Sequence, residues 1–94
     1  MSSAAAKRHM GRVADLSCIL CRHLGFPGSI AEIHHIREGR GMSQRASDFL
    51  TIPLCPEHHR GAGGLHGLGV RGFAARHKLD ELDLLAMTLE ALES

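Results

Sequence analysis

The chain has 94 residues, no Trp or Tyr, three Phe and eleven Gly, which leaves room for one small domain with little bulky material for its core. Three cysteines and no apolar leader in "MSSAAAKRHMGRV" argue against a secreted disulfide scaffold, and no apolar run reaches the length of a membrane span. Net charge is +1, yet residues 1–78 hold all eleven Lys/Arg against five acids, while residues 79–94 hold five acids and no Lys/Arg. A loop-rich chain of this size needs a staple, and in a reducing, cytosolic compartment metal-bound thiolates can supply it. The basic body suits a polyanionic partner and an ordinary solvated surface about equally well.

In chain order, the "SSAAA" start is expected to fray over residues 1–6, and a helix is predicted over 4–16 with Val13 and Leu16 inward, weakened by Gly11. "SCILC" (17–21) tightens into a knuckle-like turn, and "GFPGS" (25–29) carries turn chemistry. "AEIHHI" (31–36) and "FLTIPLC" (49–55) read as short strands, with Pro53 placing the second at an edge or a strand end. The polar, Gly-containing stretch 37–48 between them is a loop. Pro56 can open a helix at its first position, and "GAGG" (61–64) interrupts it. A short helix follows over 70–77. Asp80 caps a last one, over 79–94, in which Leu82, Leu85, Leu89 and Leu92 share a face.

Spacing sorts the metal ligands. Cys18 and Cys21 form C-x-x-C, Cys55 and His58 form C-x-x-H, and two such half-sites make the common Cys₃His structural zinc set. A Cys₂His₂ finger fails because the second histidine it needs at 38–40 is replaced by Glu38, Gly39 and Arg40. A thioredoxin-like redox pair lacks its βαβ context.

His58 has a histidine neighbour, His59. Residues one apart on a helix project about 100° apart, so His59 points away from a knuckle that His58 faces. His34 and His35 likewise leave opposite faces of a strand. His34, His35, His59 and His66 are thus candidates for a second site, while His9, His23 and His77 read as ordinary polar residues.

The stretches "IHHI" and "PLCPEHH" resemble those of the HNH, or ββα-metal (His-Me finger), nucleases. The wider pattern "HHIREGRGMSQRASDFLTIPLCPEHHRGAGGLHGLG" with its upstream C-x-x-C looks more narrowly like the phage-borne, RecA-dependent nucleases of the recombination-enhancement (Ref) type and their small relatives. The likeness runs over residues 8–92, although those nucleases carry additional N-terminal sequence. It implies an α+β fold, a zinc-stapled ββα-metal finger with flanking helices, and one nuclease-like domain over 1–94.

By the same resemblance His35 is the general base, and His34, His59 and His66 hold a catalytic divalent ion, Zn²⁺, Mg²⁺ or Mn²⁺. The family's middle Asn, which orients the base, has no counterpart here, and Asp48 is the residue best placed to substitute. Arg37, Arg40 and Arg45 follow the base and are candidates for clamping phosphates. The implied activity is hydrolysis of DNA phosphodiesters inside a bacterial host cell, with a RecA filament as a second partner. The rival reading is a non-catalytic zinc module that binds DNA or that filament.

Overall fold

The computed structural model describes residues 2–37 and 46–94. The elements are α1 (Ala4–Asp15), α2 (Ile19–Leu24), β1 (Glu32–His35), β2 (Thr51–Leu54), α3 (Pro56–Arg60), α4 (Leu65–His77) and α5 (Glu81–Glu93). It is a small α+β domain whose two-stranded antiparallel sheet is surrounded by helices. None of the described helices is long and apolar enough to cross a membrane. Arg40 and Arg45 lie outside the described residues.

α1 starts at Ala4, within the stretch expected to fray. Ser3 caps α1, its Oγ accepting the Ala6 N–H at 3.0 Å, and Ala6 is buried along with Val13. A side-chain cap satisfies one of the orphan donors of a first turn, and a buried alanine holds that turn against the body. Leu16 is the C-cap of α1 and is only partly buried. The knuckle begins at Ser17, in the left-handed region (φ 65°). Cys18 then caps α2 with its own sulfur, which accepts the Cys21 N–H at 3.4 Å.

β1 and β2 pair in the register Glu32↔Leu54, Ile33↔Pro53, His34↔Ile52 and His35↔Thr51. Pro53 sits within β2 and not at its end. In a two-stranded sheet every strand is an edge, so a missing N–H can be tolerated there. β2 is buried along its whole length, because α1, α2 and α5 all pack against it. Ile52, Leu54, Leu20, Phe73 and Leu84 form the centre of the core.

Two elements differ from the sequence expectation. α4 begins at Leu65, five residues early, and is interrupted by Gly69 (φ 77°, ψ 165°), a conformation open to glycine because it has no Cβ. α5 has the expected Asp80 cap, with a reciprocal Asp80–Asp83 capping box, but its buried face only overlaps the predicted stripe, sharing Leu85. Its buried residues are Glu81, Leu84, Leu85 and Thr88, while Leu82 and Leu89 are 48% and 41% exposed. The helix is rotated so that Glu81 faces inward at its first turn beside Leu84, while Leu82 does not.

Candidate metal centres and active site

Three segments converge at the first centre. α2 supplies Cys21 from its first turn and Cys18 as its cap, the end of β2 leads into Cys55, and α3 carries His58. His58 Nδ1 lies 3.5, 3.6 and 3.4 Å from the sulfurs of Cys18, Cys21 and Cys55, and the Cys21 and Cys55 sulfurs are 3.9 Å apart. A tetrahedron with metal–sulfur bonds of about 2.3 Å and metal–nitrogen bonds of about 2.0–2.1 Å has edges of roughly 3.8 Å (S–S) and 3.5 Å (S–N). The donor atoms stand at those separations, so this group can hold a metal ion.

Electrostatics point the same way. Burial, together with the adjacent Cys18 thiol, pushes the Cys21 thiol up to about 12. Burial acts upward on Cys55 too, but the His58 backbone N–H and the Cys18 and Cys21 side chains outweigh it and leave Cys55 below its ordinary value. Burial lowers His58, as does the nearby His77, keeping its imidazole neutral. Crowded thiols that resist a second negative charge deprotonate together once a cation neutralises them.

The second centre lies on the other side of α3. His34 from β1, His59 from α3 and His66 from α4 bring one nitrogen each together. His34 Nδ1 is 3.3 Å from His59 Nε2, which is 3.1 Å from His66 Nε2. Adjacent nitrogens on a tetrahedral ion are about 3.3 Å apart for bonds of 2.0–2.1 Å. Gly67 makes this approach possible, since a Cβ there would run into the Gly61 carbonyl oxygen. The glycine lets the start of α4 fold back over the end of α3 and places His66 beside His59.

Carboxylates stand behind two of these rings. His34 Nε2–H donates to Glu81 Oε2 at 2.6 Å, and both side chains are nearly inaccessible, at 4% and 1%. His59 Nδ1–H donates to Glu32 Oε1 at 2.8 Å. Arg60 grips the same Glu32 through Nε at 3.0 Å and Nη2 at 2.9 Å. The Arg60 and His59 hydrogen bonds hold Glu32 down to about 2, and Arg60 is raised in return. Burial lowers His34, although Glu81 pulls the other way. Because a carboxylate only accepts, each of these histidines carries its proton on the outer nitrogen and turns a lone pair inward.

His35 takes no hydrogen bond from the histidine trio among the described residues. It is the last residue of β1, and its side chain is 37% exposed. Its Nε2–H donates to Asp48 Oδ1 at 2.8 Å, while Ser2 Oγ donates to Asp48 Oδ2 at 2.6 Å. Nδ1 of His35 is left as the basic nitrogen of that tautomer. Arg37 is exposed just past the strand, and its backbone N–H donates to Glu81 Oε1 at 3.3 Å.

Among the described residues, Cys18, Cys21, Cys55 and His58 come together in one cluster and His34, His59 and His66 in another, while His35 sits on Asp48 and Arg37 stands apart past β1. Sequence reasoning missed Glu32, Glu81 and Ser2. Glu32 had a usable signal, because it shares a strand face with His34 at i+2. Glu81 and Ser2 had none, being 47 and 46 residues from their partners. His77 is more than a surface residue. Its Nε2–H donates to the Gly63 carbonyl at 3.1 Å, and its ring packs on Phe73 and edge-on to His58. His9 packs its ring against Phe49.

No curated protein matches the chain. The family model described as "Recombination enhancement, RecA-dependent nuclease" matches residues 2–93, a span that includes both histidine and cysteine clusters and the His35–Asp48 pair. The chain belongs to that family of RecA-dependent nucleases of recombination enhancement.

Proposed function

We propose that this protein is a metal-dependent endonuclease of the HNH type, hydrolysing DNA phosphodiesters in concert with a RecA filament inside a bacterial or phage-infected cell. The observation that carries the proposal is the β1–β2–α3 unit. It presents a carboxylate-held histidine, His35, one residue along the strand from His34, a member of the three-imidazole cluster.

In this reading Cys18, Cys21, Cys55 and His58 hold a structural zinc, the ion that a thiolate-rich tetrahedral set suits best. It fixes the knuckle to the head of α3 and thereby sets the direction of His59. His34, His59 and His66 hold the catalytic ion, Zn²⁺, Mg²⁺ or Mn²⁺. When bound, that ion supplies positive charge for the phosphate oxygens and the leaving 3′ oxygen.

The chain's own residues do the rest. His35 accepts a proton from the attacking water at Nδ1, which is available in neutral imidazole near physiological pH. Asp48 keeps the ring in that tautomer and stabilises the imidazolium that forms, and Ser2 holds Asp48. Arg37, together with Arg40 and Arg45 of the following segment, grips the flanking phosphates. The products carry 5′-phosphate and 3′-hydroxyl ends.

The test is nicking of DNA by metal-loaded protein, with and without a RecA filament, for wild type and His35→Ala. The variant should keep both ions and its fold while losing roughly 10²–10⁴-fold in rate, the usual share of a general base. Fully loaded wild-type protein that cuts neither single- nor double-stranded DNA in the presence of the filament would refute the nuclease assignment and favour an accessory module.

A further inference from the structure

Glu81 is the most deeply buried charged side chain among the described residues, and the hydrolytic chemistry does not call on it. It occupies the first turn of α5, 1% exposed, with its two oxygens bonded to His34 Nε2–H (2.6 Å) and to the Arg37 backbone N–H (3.3 Å). Among the described residues no Lys or Arg side chain forms an ion pair with it. A buried carboxylate with so little compensation is costly unless a positive charge lies close by. The helix N-terminus supplies part of that charge. The remaining route runs through the imidazole of His34 to whatever sits at its Nδ1.

We infer that Glu81 is the positioning residue of the histidine centre: it fixes the His34 tautomer, strengthens Nδ1 as a donor, and ties α5 to the ion. The inference rests on the proposal that His34, His59 and His66 bind a divalent cation. Glu32 stands behind His59 in the same way but plays a lesser part. It is partly exposed, and its charge is already matched by the Arg60 guanidinium. Among the described residues Glu81 has no such competitor for its charge, so an ion at His34 is its main counter-charge. Removing the charge from Glu81 should thus weaken the ion far more than removing it from Glu32.

There is a consequence for the fold. The rotation of α5 that exposes Leu82 and Leu89 is the one that turns Glu81 inward. The Glu81–His34 bond therefore links the C-terminal helix to the histidine centre.

The test titrates Co²⁺ into full-length protein whose cysteine centre already holds Zn²⁺, reading the visible absorption of the bound ion. Wild type should take up one Co²⁺. E81Q should bind it roughly 10- to 100-fold more weakly, as is usual when the partner behind a metal-bound histidine is lost, and E32Q should lose less. In nicking assays E81Q should recover its kcat at saturating metal with KM for DNA unchanged, which a general loss of structure would not allow. If wild type takes up no Co²⁺, the histidine centre itself is misassigned. If wild type binds and E81Q binds equally well, or E32Q loses as much as E81Q, the role given to Glu81 is wrong. Should E81Q fail to fold, ¹⁵N resonances of the His34 ring in the zinc-loaded wild type decide the matter. A proton on Nε2 with metal at Nδ1 supports the inference, and metal at Nε2 overturns it.

Discussion

Alanine at His58 and alanine at His59 are adjacent substitutions that should have opposite consequences. At ~0.05–0.15 kcal/mol per residue, a 94-residue domain has a net stability of roughly 5–14 kcal/mol. A structural zinc in a thiolate–imidazole site contributes about 10–16 kcal/mol at neutral pH. The ion proposed for the Cys18–Cys21–Cys55–His58 cluster is therefore comparable with the whole stability of the fold, and its ligands are not interchangeable surface residues. Taking one of four donors as a quarter of that energy, His58→Ala costs about 2.5–4 kcal/mol. At about 4–8 °C per kcal/mol for a domain of this size, the melting temperature should fall by roughly 10–32 °C.

His59→Ala removes no ligand from that cluster. It deletes a contact to the partly exposed Glu32, which already has Arg60 as a partner, and pairs reached by solvent in this way contribute little. Melting in buffer without added divalent ion, followed by circular dichroism with zinc counted in parallel, separates the two variants. His58→Ala should melt far lower and hold less zinc. His59→Ala should melt within a few degrees of wild type and keep one zinc, having lost only the second ion. Similar melting temperatures for the two variants would refute the division of the histidine pair between two centres.

Asp48→Ala should slow nicking about 5- to 30-fold, the equivalent of a partly exposed hydrogen bond to a charged group at about 1–2 kcal/mol, and less than His35→Ala does. Single-turnover rates equal to wild type would remove Asp48 from the orienting role. Stability should also fall in acid in two steps. Burial holds His34 and His58 below their ordinary value of 6.5, so the stability they contribute is present above that pH and lost as pH falls through their folded values. Glu32, lowered to about 2, contributes stability that is present above 4.5 and lost as pH falls towards 2. Because protons compete with the ion for the same imidazoles, metal release should accompany the first step. A melting temperature that stays flat from neutral pH to about 5 would contradict the linkage.

The part of this protein legible in the sequence is the part built from local geometry. Cys18 with Cys21, and Cys55 with His58, are two potential ligand pairs, each three residues apart. A tight turn or the first turn of a helix brings such pairs together whatever the rest of the chain does. The divergence of His58 from His59, and of His34 from His35, follows from the repeat of helix and strand in the same way. Pro56 at the first position of α3 and Asp80 as the cap of α5 are equally local. Tertiary structure decided what no local rule contains. Glu81 meets His34 across 47 residues, and Ser2 meets Asp48 across 46. The rotation of α5 was hidden for the same reason: its leucine stripe promised Leu82, Leu85 and Leu89 inward, but Leu84, Leu85 and Thr88 face the core beside a buried Glu81–His34 bond, and Leu82 and Leu89 stay exposed. Periodicity weighs apolar area alone, whereas the folded chain must also pair every charge it buries.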